Sequence, residues 1–196
     1  MGNHKGKNFS LNNMGQRKKS DFYQTPYSLT GKLLDYIDTK QLGLVLEPSS
    51  GEGAICKVLD DRGIKYEHYD LAHGVNFFDE TRTFDTVLTN PPYSAANLFI
   101  HKAQSVAKKN IFLLLPLSYL HGKSRHDQIY KKYLNLKTVL VFTRYPMLSD
   151  KIREDGKYET GMMVYAWYLF DKDYSGLPTI DWLDNNEDVV RKGIAG

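Results

Sequence analysis

Short apolar runs alternate along this chain with segments whose apolar residues recur at helical spacing. The runs predict six strands, at residues 42–46, 64–69, 84–89, 111–115, 138–142 and 162–170. Helical spacing predicts a first helix capped by Ser28 and further helices at residues 54–62, 97–107 and 127–134. Because strands and helices alternate from residue 28 to about residue 142, we expect an α/β fold whose mostly parallel sheet is covered by helices on both faces.

The composition is that of one globular domain with small extensions, at 196 residues, 41% hydrophobic and 25% charged. The net charge of +3 is unevenly distributed, because the first twenty residues carry five Lys or Arg and no acid. The remaining residues therefore carry a net −2, and the body of the chain is not a strongly basic nucleic-acid binder. We expect residues 1–20 to form a flexible basic tail that adds nonspecific affinity for nucleic acid.

Cysteine usage and hydropathy indicate the compartment. Cys56 is the only cysteine, so the chain cannot form an internal disulfide, which fits a reducing cytoplasm. The longest apolar run is far shorter than the ~20 residues that span a bilayer. The polar, basic N-terminus is unlike a secretory signal. We expect a soluble cytoplasmic protein that does not enter a membrane.

Three candidate segments follow predicted strands, where parallel sheets bind ligands. In Glu47–Gly53, two nearby glycines allow a tight turn and close approach of the backbone to a ligand. The spacing is not that of a phosphate-binding loop. Asp70 ends the next strand, where an acid can accept hydrogen bonds from both hydroxyls of a ribose. Either feature alone is also common in ligand-free structural positions.

The third segment, Asn90-Pro91-Pro92-Tyr93, carries the sharpest signal. Two prolines fix φ and remove two backbone donors, which predicts a stiff, solvent-facing turn with available carbonyls. The Asn90 amide oxygen and the Pro91 carbonyl can both accept from one amino group, and Tyr93 offers a flat face to a ring. This combination suits an amino group on a planar base, although a plain loop with a proline pair is the alternative.

These motifs resemble the S-adenosylmethionine-dependent N6-adenine DNA methyltransferases of the Asn-Pro-Pro-Tyr type, including the compact branch found in phages. Residues 90–93 are similar to the family's catalytic motif, and Glu47-Pro48-Ser49-Ser50-Gly51-Glu52-Gly53 to its cofactor loop. Residues 21–26 resemble its N-terminal cofactor segment. The resemblance covers residues 21–183 and implies a Rossmann-like class I methyltransferase fold for that domain, with residues 184–196 as a C-terminal tail.

The resemblance also implies the cofactor, S-adenosylmethionine, and residues that bind it. The segment at residues 21–26 and the loop at residues 47–53 would contact its methionine part, and Asp70 with Leu71 its ribose and adenine. Asn76 stands where the family often has Asp, a departure that weakens its assignment. The predicted cofactor residues are Tyr23, Gln24, Thr25, Pro26, Glu47, Pro48, Ser49, Gly51, Gly53, Asp70, Leu71, Asn76, Phe77 and Asn90.

The implied reaction is methylation of a flipped adenine that stacks on Tyr93. Asn90 and the Pro91 carbonyl would accept the amino hydrogens, Pro92 and Tyr93 would line the site, and neither a metal nor a covalent cysteine is required. These four residues are the predicted catalytic set.

A basic stretch follows the catalytic strands. Residues 121–157 contain nine Lys or Arg and four Asp or Glu, which favours either a solvated face or phosphate contacts. The predicted nucleic-acid contacts are Lys123, Arg125, Arg144 and Tyr145. Little sequence remains after residue 183 for a separate target-recognition domain, so we expect recognition to be loop-borne, relaxed or supplied by a partner. The pattern does not decide between monomer and dimer.

Several alternatives stay open. The same tetrapeptide serves enzymes that methylate RNA bases, or glutamine side chains in proteins, although the latter usually carry a helical N-terminal domain. A non-catalytic cofactor-binding module would share the fold. A nicotinamide dehydrogenase would have a third glycine where Cys56 stands. Our prediction is DNA adenine as substrate, with RNA second.

Overall fold

The computed structural model of the protein describes residues 25–143 and 164–185. Seven strands form one sheet in the order β2-β1-β3-β4-β6-β5-β7. The strands are β1 Val45–Glu47, β2 Tyr66–His68, β3 Phe84–Thr89, β4 Ala107–Pro116, β5 Leu136–Phe142, β6 Tyr165–Asp171 and β7 Thr179–Leu183. All neighbouring strands are parallel except β6, which runs antiparallel to β4 and β5.

Helices cover both faces of this sheet. They are α1 Tyr27–Tyr36, α2 Ala54–Asp61, α3 Ala96–Val106 and a helical segment at residues 123–133, which we call α4. The central turn of α4, His126–Tyr130, has π-helical hydrogen bonding. Single turns of 3₁₀ helix follow β2 and β3.

Two apolar layers result from the alternation of side chains along the strands. In β4, Leu113 packs with α3 and α4 on one face, whereas Leu114 packs with α1 and α2 on the other. Trp167 of β6 is fully buried, and its indole N–H donates to the Leu29 carbonyl of α1 at 2.9 Å. The layers hold the sheet rigidly between helices, with the strand ends exposed for loops.

The structure confirms the predicted fold and β3, whose bounds agree with the sequence pattern. Three local expectations are wrong. Helix α1 begins at Tyr27 after Pro26, so Ser28 lies inside it and does not cap it. Helix α4 begins at Lys123 rather than at residue 127, and the C-terminal strand β7 was not expected to join the sheet. None of the described helices is long and apolar enough to cross a membrane.

Candidate functional site

The three sequence motifs converge at the carboxyl ends of three adjacent strands. Strand β1 lies between β2 and β3, and all three are parallel, so Glu47, Asp70 and Asn90 follow neighbouring strand ends. Backbone hydrogen bonds continue past the strands, because Tyr69 N donates to the Glu47 carbonyl and Ser50 N to the Tyr69 carbonyl, both at 2.9 Å. Backbone hydrogen bonds therefore join the loops after β1 and β2.

The loop after β1, residues 47–53, is built around two glycines with positive φ. Gly51 has φ +54° and Gly53, which precedes α2, has φ +79°. A Cβ on Gly53 would come no closer than 3.9 Å to its nearest neighbour, so the left-handed backbone rather than crowding favours glycine there. We call residues 47–53 the cofactor loop.

Asp70 holds this loop in place. Its carboxylate accepts from Gly51 N at 2.8 Å and from Ala72 N at 2.7 Å, and its side chain is buried. Charge-assisted bonds of this kind are short and strong, and they fix the loop after β1 relative to the turn after β2. Leu71, which follows Asp70, is 41% exposed and offers an apolar surface beside them.

Glu47 is a fully buried acid with one unsatisfied oxygen. Its Oε1 accepts from Thr89 Oγ1 at 2.6 Å and from Ser49 N at 2.9 Å, whereas Oε2 has no hydrogen-bond partner among the described groups. Burial raises the pKa of Glu47 to about 8, and the nearby Asp70 carboxylate adds to the rise. An unpaired buried carboxyl oxygen is costly, so this site suits a cationic ligand group.

Two hydroxyls connect Glu47 to the loop after β3. Thr89 Oγ1 lies 2.6 Å from Ser49 Oγ, and Ser49 Oγ donates to the Asn90 carbonyl at 3.2 Å. Thr89 is fully buried, and Ser49 belongs to the cofactor loop. The loops after β1 and β3 are thus joined by side chains as well as by sheet pairing. We call the loop after β3, Asn90 to Tyr93, the catalytic loop.

The Asn90 amide is held at both ends. Its Nδ2 donates to Thr25 Oγ1 at 2.9 Å, and its Oδ1 accepts from the Tyr93 hydroxyl at 3.1 Å. An amide oxygen has two lone pairs, so Oδ1 retains capacity for a second donor. No described group donates to the Pro91 carbonyl. Both oxygens therefore keep capacity to accept from a further donor, whereas the expectation of a solvent-facing turn is wrong at Pro91, which is buried.

Aromatic residues pack against the catalytic loop and hydrogen-bond to it. The Tyr93 ring lies 5.4 Å from the buried Tyr165 ring at an interplanar angle of 33°. Tyr119, after β4, donates from its hydroxyl to the Tyr93 carbonyl at 3.1 Å, and Tyr130 of α4 donates to the Tyr119 carbonyl at 2.9 Å. These contacts link α4 to the catalytic loop.

The other predicted cofactor residues differ in their burial and in their contacts. Pro26 is half-buried at the start of α1, and Pro48 is buried in the cofactor loop. Asn76 caps a 3₁₀ turn by accepting from Phe78 N, and Phe77 is only 3% exposed, packed against Phe99 in the core. Tyr23 and Gln24 lie outside the described residues.

The structure describes two of the predicted nucleic-acid residues, Lys123 and Arg125, and their side chains make different contacts. Lys123 is exposed at the start of α4 and pairs with Asp127 at 2.8 Å. Arg125 instead lies over the Tyr119 ring at 4.7 Å and donates to the His121 carbonyl at 2.8 Å, so its guanidinium supports the turn before α4. Arg144 and Tyr145 lie outside the described residues.

Sequence reasoning missed Thr89 and Tyr119, and it did not foresee the contact between Thr25 and Asn90. A polar residue at the end of an apolar run, as Thr89 is, was the available signal for one of them. Among residues 25–143 and 164–185, no group of three or more His, Cys, Asp or Glu is arranged to hold a metal ion.

Comparison with solved structures identifies the fold. The chain resembles a protein from Listeria monocytogenes assigned as a class I S-adenosylmethionine-dependent methyltransferase, with TM-score 0.56, 12% identity and coverage of 94% of this chain and 73% of that one. It also resembles a modification subunit of a type I restriction enzyme from Vibrio vulnificus, with TM-score 0.55, 16% identity and coverage of 85% and 47%.

A third similar structure is a protein from Pyrococcus horikoshii assigned as an RNA methyltransferase, with TM-score 0.52, 13% identity and coverage of 80% and 91%. Comparisons with protein-family models and with curated proteins give no match. At these identities the likeness shows the fold, which is the Rossmann-like class I methyltransferase fold, and function must be argued from the site.

Proposed function

We propose that this chain transfers a methyl group from S-adenosylmethionine to the N6 amino group of adenine in DNA. The observation that carries the proposal is the pair of acceptors, Asn90 Oδ1 and the Pro91 carbonyl, beside the cofactor loop. A primary amino group on a ring has two hydrogens in one plane, and two fixed acceptors match them.

The residues around the cofactor loop fit S-adenosylmethionine. Glu47 Oε2, buried without a described partner, suits the ammonium of the methionine part, and the positive-φ glycines allow close backbone approach. Asp70 at the end of the β2 connection suits a ribose, with the exposed Leu71 beside it for the adenine ring. When bound, the cofactor supplies an electrophilic methyl group on a sulfonium.

The protein's part in the reaction is positioning. By accepting the amino hydrogens, Asn90 and the Pro91 carbonyl would turn the nitrogen from conjugation with its ring and direct its lone pair. Tyr93, fixed by Tyr119 and Tyr165, would provide the face against which the flipped base stacks. The amino nitrogen would gain the methyl group in place of one hydrogen, and the surplus proton would leave to water.

The target of methylation and its recognition involve elements beyond the catalytic loop. We propose that α4, beginning at Lys123, faces the nucleic-acid backbone and that a partner or a loop supplies sequence recognition. The similarity to a restriction modification subunit favours DNA. The similarity to an RNA methyltransferase, of which this chain covers 91%, favours an RNA base as the second candidate. We propose action in the cytoplasm, where the lone Cys56 stays reduced.

The test is to incubate the protein with methyl-labelled S-adenosylmethionine and matched double-stranded DNA and RNA, then to identify the labelled nucleoside after digestion. Label on N6 of deoxyadenosine is the expected result, and label on RNA alone would move the substrate. Asn90→Ala should bind the cofactor as the wild type does and lose turnover by a factor of about a hundred or more. Loss of cofactor binding as well would mean that Asn90 is structural.

A further inference from the structure

Thr89 occupies a position between the two loops that no sequence motif indicates. It is the last residue of β3, its side chain is fully buried, and its hydroxyl oxygen has two short contacts. One is to Glu47 Oε1 at 2.6 Å and the other to Ser49 Oγ at 2.6 Å. Buried threonines often satisfy their hydroxyls with a backbone carbonyl, as Thr86 does with the Leu42 carbonyl. Thr89 instead bonds to the cofactor loop.

The order of the contacts makes a chain from the buried acid to the catalytic loop. From Glu47 Oε1 the chain passes through Thr89 Oγ1 and Ser49 Oγ to the carbonyl of Asn90, with a last step of 3.2 Å. The Ser49 hydroxyl itself makes only a long contact with the acid, since its oxygen lies 3.4 Å from Glu47 Oε1. Thr89 is therefore the short bridge between the Glu47 carboxyl and the hydroxyl that holds Asn90.

We infer that Thr89 is a positioning residue whose hydroxyl, by donating to Oε1, orients the Glu47 carboxyl towards a cationic group of the cofactor. This inference rests on the proposed function, because it assigns Thr89 to the same site. With Oε1 held by Thr89 and Ser49 N, the carboxyl presents Oε2, the oxygen that has no described partner, to the ligand.

The surroundings of Glu47 give the inference a distinctive readout. Burial raises the pKa of Glu47, and the Asp70 carboxylate at the end of the β2 connection adds to the rise. The Cys56 thiol on α2 also faces the carboxyl, and the charge of Glu47 raises the pKa of Cys56. The hydrogen bonds from Thr89 and Ser49 oppose the rise in the pKa of Glu47. A cationic ligand group binds best to ionised Glu47, so affinity should rise with pH up to about pH 8, where an α-ammonium group of the ligand itself loses its proton. Loss of the Thr89 hydroxyl should make Glu47 harder to ionise and so weaken binding most on the acid side of this profile.

The test measures binding of S-adenosylmethionine by calorimetry across pH for the wild type, Thr89→Val and Thr89→Ser. Valine keeps the shape of threonine but cannot donate, so Thr89→Val should bind about tenfold more weakly near neutral pH, and its deficit relative to the wild type should shrink at higher pH. Thr89→Ser should restore the affinity and its pH profile.

Thr30→Val provides a matched control, since Thr30 is a fully buried threonine of α1 whose hydroxyl has no described partner. It should leave the affinity and its pH profile unchanged. A Thr89→Val profile that coincides with the wild-type profile would overturn the inference while leaving the proposed function intact. Failure of the folded wild-type protein to bind S-adenosylmethionine at any pH would instead overturn the proposed function. Equal weakening at every pH, not reversed by Thr89→Ser, would show that Thr89 acts only through packing.

Discussion

Replacement of Glu47 by glutamine should change how the stability of the ligand-free protein depends on pH. Burial raises the pKa of Glu47 from 4.5 to about 8, so the native state retains a proton that the unfolded chain loses at lower pH. A raised pKa in the folded state stabilises the protein fully below the unfolded pKa, and this contribution is lost as pH rises through the folded pKa. The pH range over which this stabilisation is lost therefore runs from 4.5 to about 8.

The size of the effect follows from the width of that window. Each pH unit within it removes about 1.4 kcal/mol of unfolding free energy, which gives at most about 5 kcal/mol in total. Glu47→Gln carries no titratable proton, so its contribution is flat. Its Nε2 would replace Oε2, which has no described partner, and this adds a pH-independent destabilisation of about 1–3 kcal/mol. The variant should be less stable than the wild type in acid and approach or exceed it in alkali.

The assay is equilibrium urea denaturation of both proteins at a series of pH values from about 5 to about 9. Other titrating groups are common to the two proteins, so the difference between their unfolding free energies isolates Glu47. That difference should shift in favour of the variant by several kcal/mol across the window. A difference that stays constant over the whole range would refute the reasoning, because it would mean that Glu47 is ionised in the native state throughout.

Three further substitutions test other contacts. Asp70→Asn should raise the Kd for S-adenosylmethionine about tenfold or more in a binding titration. The two backbone N–H groups that now donate to the Asp70 carboxylate would then find one oxygen and one amide nitrogen, so one of them would lose its acceptor. Thr25→Val should lower kcat severalfold without changing that Kd, because it removes the partner of Asn90 Nδ2; a changed Kd would assign Thr25 to the cofactor. Gly43→Ala should lower the unfolding free energy from urea denaturation by about 2 kcal/mol without affecting binding, because its Cβ would clash with the Asp85 carboxylate at a backbone φ of +58°.

The sequence predicts those parts of the fold that depend on local patterns. Strand β3 appears with the predicted bounds because six mostly buried residues precede a proline pair that ends the strand. The neighbourhood of Glu47, Asp70 and Asn90 is predictable too, since the carboxyl ends of parallel strands meet at one edge. The antiparallel insertion of β6 between β4 and β5 is not, because strand order depends on pairings distant in sequence.

The same distinction separates the predictable part of the site from the rest. Motif residues such as Asn90 can be recognised by type and spacing, whereas their supports depend on approach between remote segments. Thr25 is 65 residues from Asn90, and Thr89 is 42 residues from Glu47. The start of α1 at Tyr27 shows a related limit, because the fixed φ of Pro26 opened the helix where a serine cap was expected two residues later.

Substrate choice must lie in residues that the fold leaves variable. The three similar structures share this fold at 12–16% identity but have different functional descriptions, so the fold alone does not specify the acceptor. In the proposed function, Asn90 and Pro91 would accept from an amino group, and this arrangement suits adenine in DNA and in RNA equally. Discrimination between the two sugars requires contacts beyond the base. Helix α4, which Tyr130 and Tyr119 connect to the catalytic loop, is the element that our proposal assigns to such contacts.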